Sequence, residues 1–143
     1  MSRIPESTTG NTPYERVMGH APHILEPWRE LENVFFRRSV LPAPLLEHVR
    51  RTLAQGTGCE YCQAKAGPPD ERHSALRTSM AVGFAQVFMS GHKNINETLL
   101  NNLREDFTDQ ELVELVAFTT FMWAGGTFGS ILGIGPQPVT AIA

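Results

Sequence analysis

Hydrophobic residues recur every three or four positions over most of the chain, which is the spacing that places them on one face of an α-helix. Three such stretches cover residues 23–36, 45–53 and 76–88, and prolines or glycines separate them. No stretch has the sustained alternation of apolar and polar residues that is typical of a half-buried strand. The pattern therefore predicts an all-α, single-domain helical bundle of about six or seven helices. The three apolar stripes consist of Leu25, Trp28, Leu31 and Phe35, of Leu45, Leu46, Val49 and Leu53, and of Leu76, Met80, Phe84, Val87 and Phe88.

Polar residues mark where two of the later helices begin. Asp70 and Glu71 follow a Gly-Pro-Pro break and predict the first turn of a helix that runs to about Ser90, since acidic residues favour helix N-termini. Thr108 and Glu111 have the spacing of a capping box, in which each side chain accepts a hydrogen bond from the other residue's backbone N–H. A second well-defined helix start is therefore predicted at Thr108.

The helix after this cap is unusually apolar. From Leu112 to Ile134 the only charged residue is Glu114, and the stretch is long enough to span a bilayer. No basic cluster flanks it, as one usually flanks a membrane anchor, so we predict the buried central helix of a protein with no membrane partner. Gly125, Gly129 and Gly133 recur every four residues within it and predict a smooth packing ridge.

Length and composition indicate one domain. The chain has 143 residues, which is enough for a single hydrophobic core. Residues 1–12 are polar and predict a flexible N-terminal segment, residues 13–135 the helical domain, and residues 136–143 a C-terminal tail.

Charge and cysteine usage narrow the function classes. The formal net charge of −3 indicates no nucleic-acid partner, and the basic pairs Arg37-Arg38 and Arg50-Arg51 are predicted to lie on solvated faces. Residues 1–8 lack the apolar core of a signal peptide, so a cytoplasmic location is expected. Two cysteines are too few for a secreted disulfide scaffold, and in the cytoplasm such a pair is usually redox-active or metal-bound.

The only two cysteines, Cys59 and Cys62, form a Cys-x-x-Cys pair. Residues at this spacing are neighbours on one helical turn, so their sulfurs can close a small disulfide ring or share a metal ion. The Gly56-Thr57-Gly58 run before the pair is a break, which predicts that Cys59 opens a helix. Thiols in a first turn lie near unpaired N–H groups that favour the reactive thiolate. We predict a reversible disulfide between the two residues.

Glu47 precedes Cys59 by twelve positions. By periodicity alone it is an edge residue beside an apolar stripe. The arrangement Glu-x11-Cys-x-x-Cys, however, resembles the alkylhydroperoxidase D / carboxymuconolactone decarboxylase family, from about Val17 to Ile134. The resemblance implies an alkylhydroperoxidase D-like helical bundle, a homo-oligomer, and no cofactor or metal. It also implies that Cys62 attacks a small-molecule peroxide or other electrophile, that Cys59 resolves, and that Glu47 relays a proton. The residues alone do not choose between the cysteines, since a helix N-terminus favours Cys59 as the attacking one. An external dithiol would restore the pair.

The chain departs from the peroxidase branch of that family at two positions. That branch has a histidine four positions after the second cysteine, where this chain has Ala66, and often another just before the second cysteine, where this chain has Tyr61. The residues that could assist Glu47 in their place are His48, Tyr61 and His73.

Three functions are consistent with these residues. The cysteine pair favours a thiol-dependent peroxidase or a related disulfide oxidoreductase, in which Glu47 supplies the proton relay. A cofactor-free lyase like the lactone decarboxylase branch would need an acid/base pair but no thiol pair. A non-catalytic oligomeric binding module would use the cysteines to hold zinc, which prefers four ligands that this sequence does not readily supply.

Overall fold

The computed structural model describes residues 2–70 and 75–137, and within those ranges the chain forms seven α-helices, one short 3₁₀ helix at His92–Asn94 and no strand. The predicted all-α, single-domain bundle is therefore confirmed. The helices are α1 (Pro13–Met18), α2 (Pro22–Arg38), α3 (Ala43–Ala54), α4 (Glu60–Ala66), α5 (Leu76–Ser90), α6 (Glu97–Arg104) and α7 (Asp109–Ile131).

Local sequence signals set several of these helix starts. The Thr12 hydroxyl accepts a hydrogen bond from the Glu15 N–H and caps α1. Pro22 is the first residue of α2, where a missing N–H costs nothing. The capping box predicted at α7 is confirmed, because the Glu111 N–H donates to the Thr108 hydroxyl at 3.2 Å and the Thr108 N–H donates to the Glu111 carboxylate at 3.0 Å.

Helix α5 begins later than the sequence predicts. Its first residue is Leu76, so Asp70 precedes the helix and does not stand in its first turn, while Glu71 lies outside the described residues. The prediction that Leu76 belongs to the core is wrong, since the residue is 67% exposed. Packing begins one turn later, at Met80, and the buried residues of α5 are Ala81, Val82, Phe84 and Ala85, of which Phe84 belongs to the predicted stripe.

The core lies around α3, which packs against both α5 and α7. The four residues predicted for the inner face of α3 are all buried, which confirms that stripe: Leu45, Leu46, Val49 and Leu53. Helix α2 runs antiparallel to α7, because Trp28 near its start contacts Phe128 while Phe35 near its end contacts Phe118. Aromatic rings therefore fill the seam between α2 and α7.

Helix α7 has two different faces. Leu115, Phe118 and Thr119 are fully buried, whereas Val113 on the opposite side is 69% exposed. By length and composition α7 is the one helix of the described chain that could cross a membrane, although the core helix of a soluble protein meets the same criteria. Of the residues in its most apolar segment, 33% are buried. The expected buried central helix is thus buried along one face only.

We predict that the Thr108 hydroxyl stabilises the protein as the cap of α7. Thr108→Ala removes the acceptor for the Glu111 N–H and is expected to lower the free energy of unfolding by about 1 kcal/mol. Thr98→Ala in α6 is the control, because Thr98 is exposed and the cap of that helix is Asn96. Its effect should stay within about 0.5 kcal/mol. Equal losses in urea denaturation would contradict a capping role.

Candidate functional site

The cysteine pair lies where the chain turns into α4. Gly58 has a φ of +74°, a conformation that suits glycine, and it directs the chain into the helix. Cys59 is the N-cap residue, as predicted, and its sulfur accepts a hydrogen bond from the Cys62 N–H at 3.2 Å. The two cysteines form a disulfide, with Cα atoms 5.2 Å apart. The predicted pairing is confirmed, and the sulfurs lie at the positive end of α4.

The two sulfurs differ in exposure. Cys59 is 0% exposed and belongs to a small buried cluster with Val17, Tyr61 and Ile134. Cys62 is only partly buried and lines a cavity. A molecule that enters the cavity therefore meets Cys62, while Cys59 is shielded behind it.

Helix α7 can approach this closely because of Gly129. A Cβ atom at this position would overlap the Cys59 sulfur, so only glycine leaves room for the buried cysteine. Gly125, one turn earlier, lines the cavity. The predicted glycine ridge does not continue to Gly133, since α7 ends at Ile131 and Gly133 has a φ of +62° outside the helix.

The cavity beside Cys62 has a volume of about 110 Å³ and draws its walls from α1, α2, α3, α4 and α7. Aromatic rings form much of its surface, so the cavity provides an apolar environment next to the Cys62 sulfur. Charged side chains stand among the rings, two of each sign. The aromatic lining consists of Tyr14, Trp28, Tyr61 and Phe121, and the charged lining consists of Glu15, Glu32, Arg50 and Lys65.

Tyr14 fixes α1 to the other cavity walls. Its ring lies 5.5 Å from that of Tyr61 and 5.4 Å from that of Phe128, measured between centroids. Its hydroxyl donates to the Gly125 carbonyl at 2.7 Å. Burial, followed by the nearby charge of Glu32, raises the pKa of the Tyr14 phenol, so it remains neutral at physiological pH. Tyr14 therefore acts here as a hydrogen-bonded ring and carries no charge.

Three of the four charged cavity residues form pairs that leave little net charge. Glu15 accepts two hydrogen bonds from Arg29, at 2.7 and 3.0 Å, and these hold the pKa of its carboxyl below the ordinary value. Lys65 lies 3.7 Å from Glu32, and both of these side chains line the cavity.

Glu47 is paired with Arg50, the fourth charged residue of the cavity lining, which lies about one turn further along α3. Arg50 donates two hydrogen bonds to the Glu47 carboxylate, at 2.9 and 2.7 Å, and Arg51 lies 3.9 Å from it. The bonds from Arg50 hold the pKa of the Glu47 carboxyl below its ordinary value, although partial burial acts in the opposite direction. The described lining of the cavity contains Arg50 but not Glu47. Glu47 thus reaches the cysteine site through Arg50.

This arrangement corrects one expectation from the sequence. Arg50 was expected on a solvated face, yet its side chain is only 17% exposed, because it turns towards the cavity and Glu47. The spacing of Glu47 and Arg50 on one helical turn was a usable signal for the pair. Tyr14 and Trp28 gave no such signal, since only the packing of α1 and α2 brings them to Cys62.

The three auxiliary candidates are placed differently. Tyr61 is buried and lines the cavity beside Cys62. His48 has its Nδ1 3.6 Å from an Asp70 carboxylate oxygen, and the cavity lining does not include it. His73 lies outside the described residues. Ala66 is buried in the last turn of α4.

Possible metal ligands are not grouped in the part of the chain that the structure describes. Within residues 2–70 and 75–137 there is no cluster of three or more His, Cys, Asp or Glu side chains that could hold a metal ion.

We predict that Gly129→Ala destabilises the protein, because the added methyl group overlaps the Cys59 sulfur. The expected loss is about 1–3 kcal/mol in the free energy of unfolding, as for overpacking of other cores. Gly83→Ala in α5 is the matched control, since no heavy atom lies within 4 Å of the added Cβ. That control is expected to be neutral or stabilising by up to about 1 kcal/mol. Two variants of equal stability in thermal and urea unfolding would refute the close contact.

The sequence matches no protein family model and no curated protein. The resemblance to the alkylhydroperoxidase D / carboxymuconolactone decarboxylase family therefore still rests on the spacing of Glu47, Cys59 and Cys62.

Proposed function

We propose that this protein is a thiol-dependent peroxidase or a related disulfide oxidoreductase, with Cys62 as the attacking cysteine and Cys59 as the resolving one. The observation that carries the proposal is the asymmetry of the disulfide. Cys62 lines a cavity that a small molecule can enter, whereas Cys59 is fully buried one turn away. An attacking sulfur has to reach its substrate, and a resolving sulfur has only to reach its neighbour.

The cycle has three balanced steps. The Cys62 thiolate attacks one peroxide oxygen and the O–O bond breaks, so that the sulfur becomes a sulfenic acid and the leaving oxygen takes up a proton as an alcohol or water. The Cys59 thiol then displaces the sulfenic hydroxyl, which forms the disulfide and releases water. An external dithiol returns two electrons and two protons, and is itself oxidised to a disulfide. The cytoplasmic location expected from the sequence suits this last step.

The cavity favours a small substrate. Its volume of about 110 Å³ is below the roughly 300–1,000 Å³ of common ligand pockets. Its rings suit an uncharged organic peroxide or another small electrophile as well as hydrogen peroxide. No cofactor takes part in this cycle.

The proton relay through Glu47 stays a prediction. A carboxylate with a lowered pKa is a weaker base, and Arg50 already occupies both of its oxygens. A direct transfer from a cysteine to Glu47 would also require this carboxylate to reach the cavity, whose described lining does not include it. The role of Arg50 is therefore as important to test as that of Glu47.

We also propose that the protein is a homo-oligomer that uses the exposed face of α7. The residues on this face, here called the outer stripe, are separated by four, three, four, three and four positions, which is the heptad spacing of helix–helix seams. The stripe is uncharged over about 27 Å, so a second copy can meet it without burying a charge. Its members are Val113, Ala117, Thr120, Ala124, Thr127 and Ile131, and all six are exposed.

The redox cycle is tested with the reduced wild-type protein and three variants, which are Cys59→Ser, Cys62→Ser and the double variant. Wild type is expected to lose both thiols on reaction with hydrogen peroxide or an organic hydroperoxide, and dithiothreitol should restore them. Cys59→Ser should react once and leave a sulfenic acid that dimedone traps, while Cys62→Ser should react no faster than the double variant. Peroxide consumption that is the same in all four proteins would reject the proposal. The reverse order of the two single variants would exchange the roles of the cysteines.

The oligomer is tested by one charge in the middle of the outer stripe. Wild type is expected to sediment as a dimer or larger assembly at micromolar concentration, and Ala124→Glu should sediment as a monomer because it buries an unpaired carboxylate. Gln86→Glu is the control, since it adds the same charge at an exposed position of α5, and it should sediment like wild type. A monomeric wild type, or an Ala124→Glu protein with unchanged assembly, would contradict the proposed interface.

A further inference from the structure

Of the two basic residues that line the cavity, only Arg50 has a carboxylate partner outside the described lining. Arg50 lines the cavity, whereas its carboxylate partner Glu47 lies behind it on α3. In the pair of Lys65 and Glu32, by contrast, both side chains line the cavity, so their charges largely cancel inside it. The Arg50–Glu47 pair therefore presents its positive end to the space beside Cys62.

The hydrogen bonds to Glu47 also fix the orientation of the guanidinium group. They use Nε and Nη2, which is the two-bond geometry that holds an arginine plane rigidly. The remaining nitrogen, Nη1, is outside this pair. Since the side chain is only 17% exposed, its charge is weakly screened by water. A cation of fixed orientation thus stands at the wall of the cavity.

We propose that Arg50, oriented by Glu47, stabilises the thiolate form of Cys62 across the cavity that both residues line. Arg50 acts on the reacting sulfur through its charge, and Glu47 is a positioning residue. The inference deepens the proposed function, because it names the group that makes Cys62 reactive at neutral pH. It does not require that the substrate is a peroxide.

The other titratable groups at the cavity do not offset this role. Glu32 is paired with Lys65 inside the lining, whereas Glu15 is held by Arg29 of α2, which does not line the cavity. Glu15 therefore also turns a charge towards this space, but α3, which carries Arg50, packs more extensively against α4, which carries Cys62, than α1 does. Lys65 is one turn after Cys62 on α4, but its side chain is 53% exposed and therefore more strongly screened. Helix α7 contributes no titratable residue to the wall. Among the described residues, the titratable groups that line the cavity are Tyr14 and Glu15 from α1, Glu32 from α2, Arg50 from α3, and Tyr61 and Lys65 from α4.

The test measures alkylation of Cys62 by iodoacetamide in reduced Cys59→Ser protein, between pH 5 and pH 10. Iodoacetamide is uncharged, so a lost arginine does not change its local concentration. Arg50→Met is expected to react about tenfold more slowly than the parent at pH 7, since one opposite charge within reach of a thiolate shifts its ionisation by about one pH unit or more. At pH 10, where the thiol ionises unaided, the two rates should agree.

Arg51→Met is the matched control, because it removes the same charge from the next position of α3 and leaves Arg50 in place. Its pH profile should coincide with that of the parent. Arg50→Lys keeps a cation and should recover part of the lost rate. An Arg50→Met profile identical to that of Arg51→Met would overturn the proposal. An Arg50→Lys protein as slow as Arg50→Met would assign the effect to packing and overturn it as well.

Glu47→Gln separates this role from that of a base. Glutamine still accepts a hydrogen bond from Arg50, and the substitution removes only the negative charge that neutralises Arg50. Alkylation at pH 7 should therefore be no slower than in the parent. A tenfold loss in Glu47→Gln with no loss in Arg50→Met would give the role to the carboxylate and reject the proposal. The assay uses neither peroxide nor reductant, so its outcome is independent of whether the redox cycle turns over.

Discussion

The close approach of the first turn of α4 to α7 at Gly129 determines the geometry of the rest of the site. Because Gly129 has no Cβ, the sulfur of Cys59 fits against the helix and is fully buried. Burial of this one sulfur leaves Cys62, three positions later, at the edge of the packed region and open to the cavity. The same stretch of α7 supplies the Gly125 carbonyl that holds the Tyr14 hydroxyl. The missing side chain of Gly129 thus determines where the disulfide lies and how far each sulfur is exposed, and the same stretch of α7 holds Tyr14 in the cavity wall.

The charges around the cavity follow from what such a packed region tolerates. A partly buried charge costs free energy unless it is paired, and the charged residues that line the cavity all have ion-pair partners. Pairing keeps the space close to neutral and suited to an apolar molecule. Each ion pair still presents one sign of charge to the cavity, and that sign depends on whether the acidic or the basic partner lines it. Arg50 lines the cavity while Glu47 does not, and Glu15 lines it while Arg29 does not, so one pair turns its positive end and another its negative end towards this space.

Features that depend on neighbouring residues alone could be predicted from the sequence. The capping box of Thr108, the N-cap position of Cys59 and the inner face of α3 each follow from a few consecutive positions, and the structure confirms them. Features that depend on which helices meet could not be. Periodicity places Leu76 in a stripe but cannot show that the helix begins there and that packing begins a turn later. Nor does it reveal that α1 brings Tyr14 to a cysteine that lies 48 positions away in the sequence.

Helix α7 shows the same limit in a second way. Its sequence is apolar nearly all round, so hydrophobicity cannot separate a buried face from an exposed one. Residue size separates them only in the middle of the helix, since Gly129 is buried further along it while Ile131 is 60% exposed. The large side chains Leu115 and Phe118 are buried, while the middle of the outer stripe consists of alanine and threonine. Small residues on an exposed face contribute little to a core, but they let a second helix approach closely when it carries the same stripe. A second helix with the same stripe would make continuous contact along this face because the spacing is regular, whereas contact with water does not depend on spacing. An exposed face of this composition is therefore better suited to helix pairing than to contact with water.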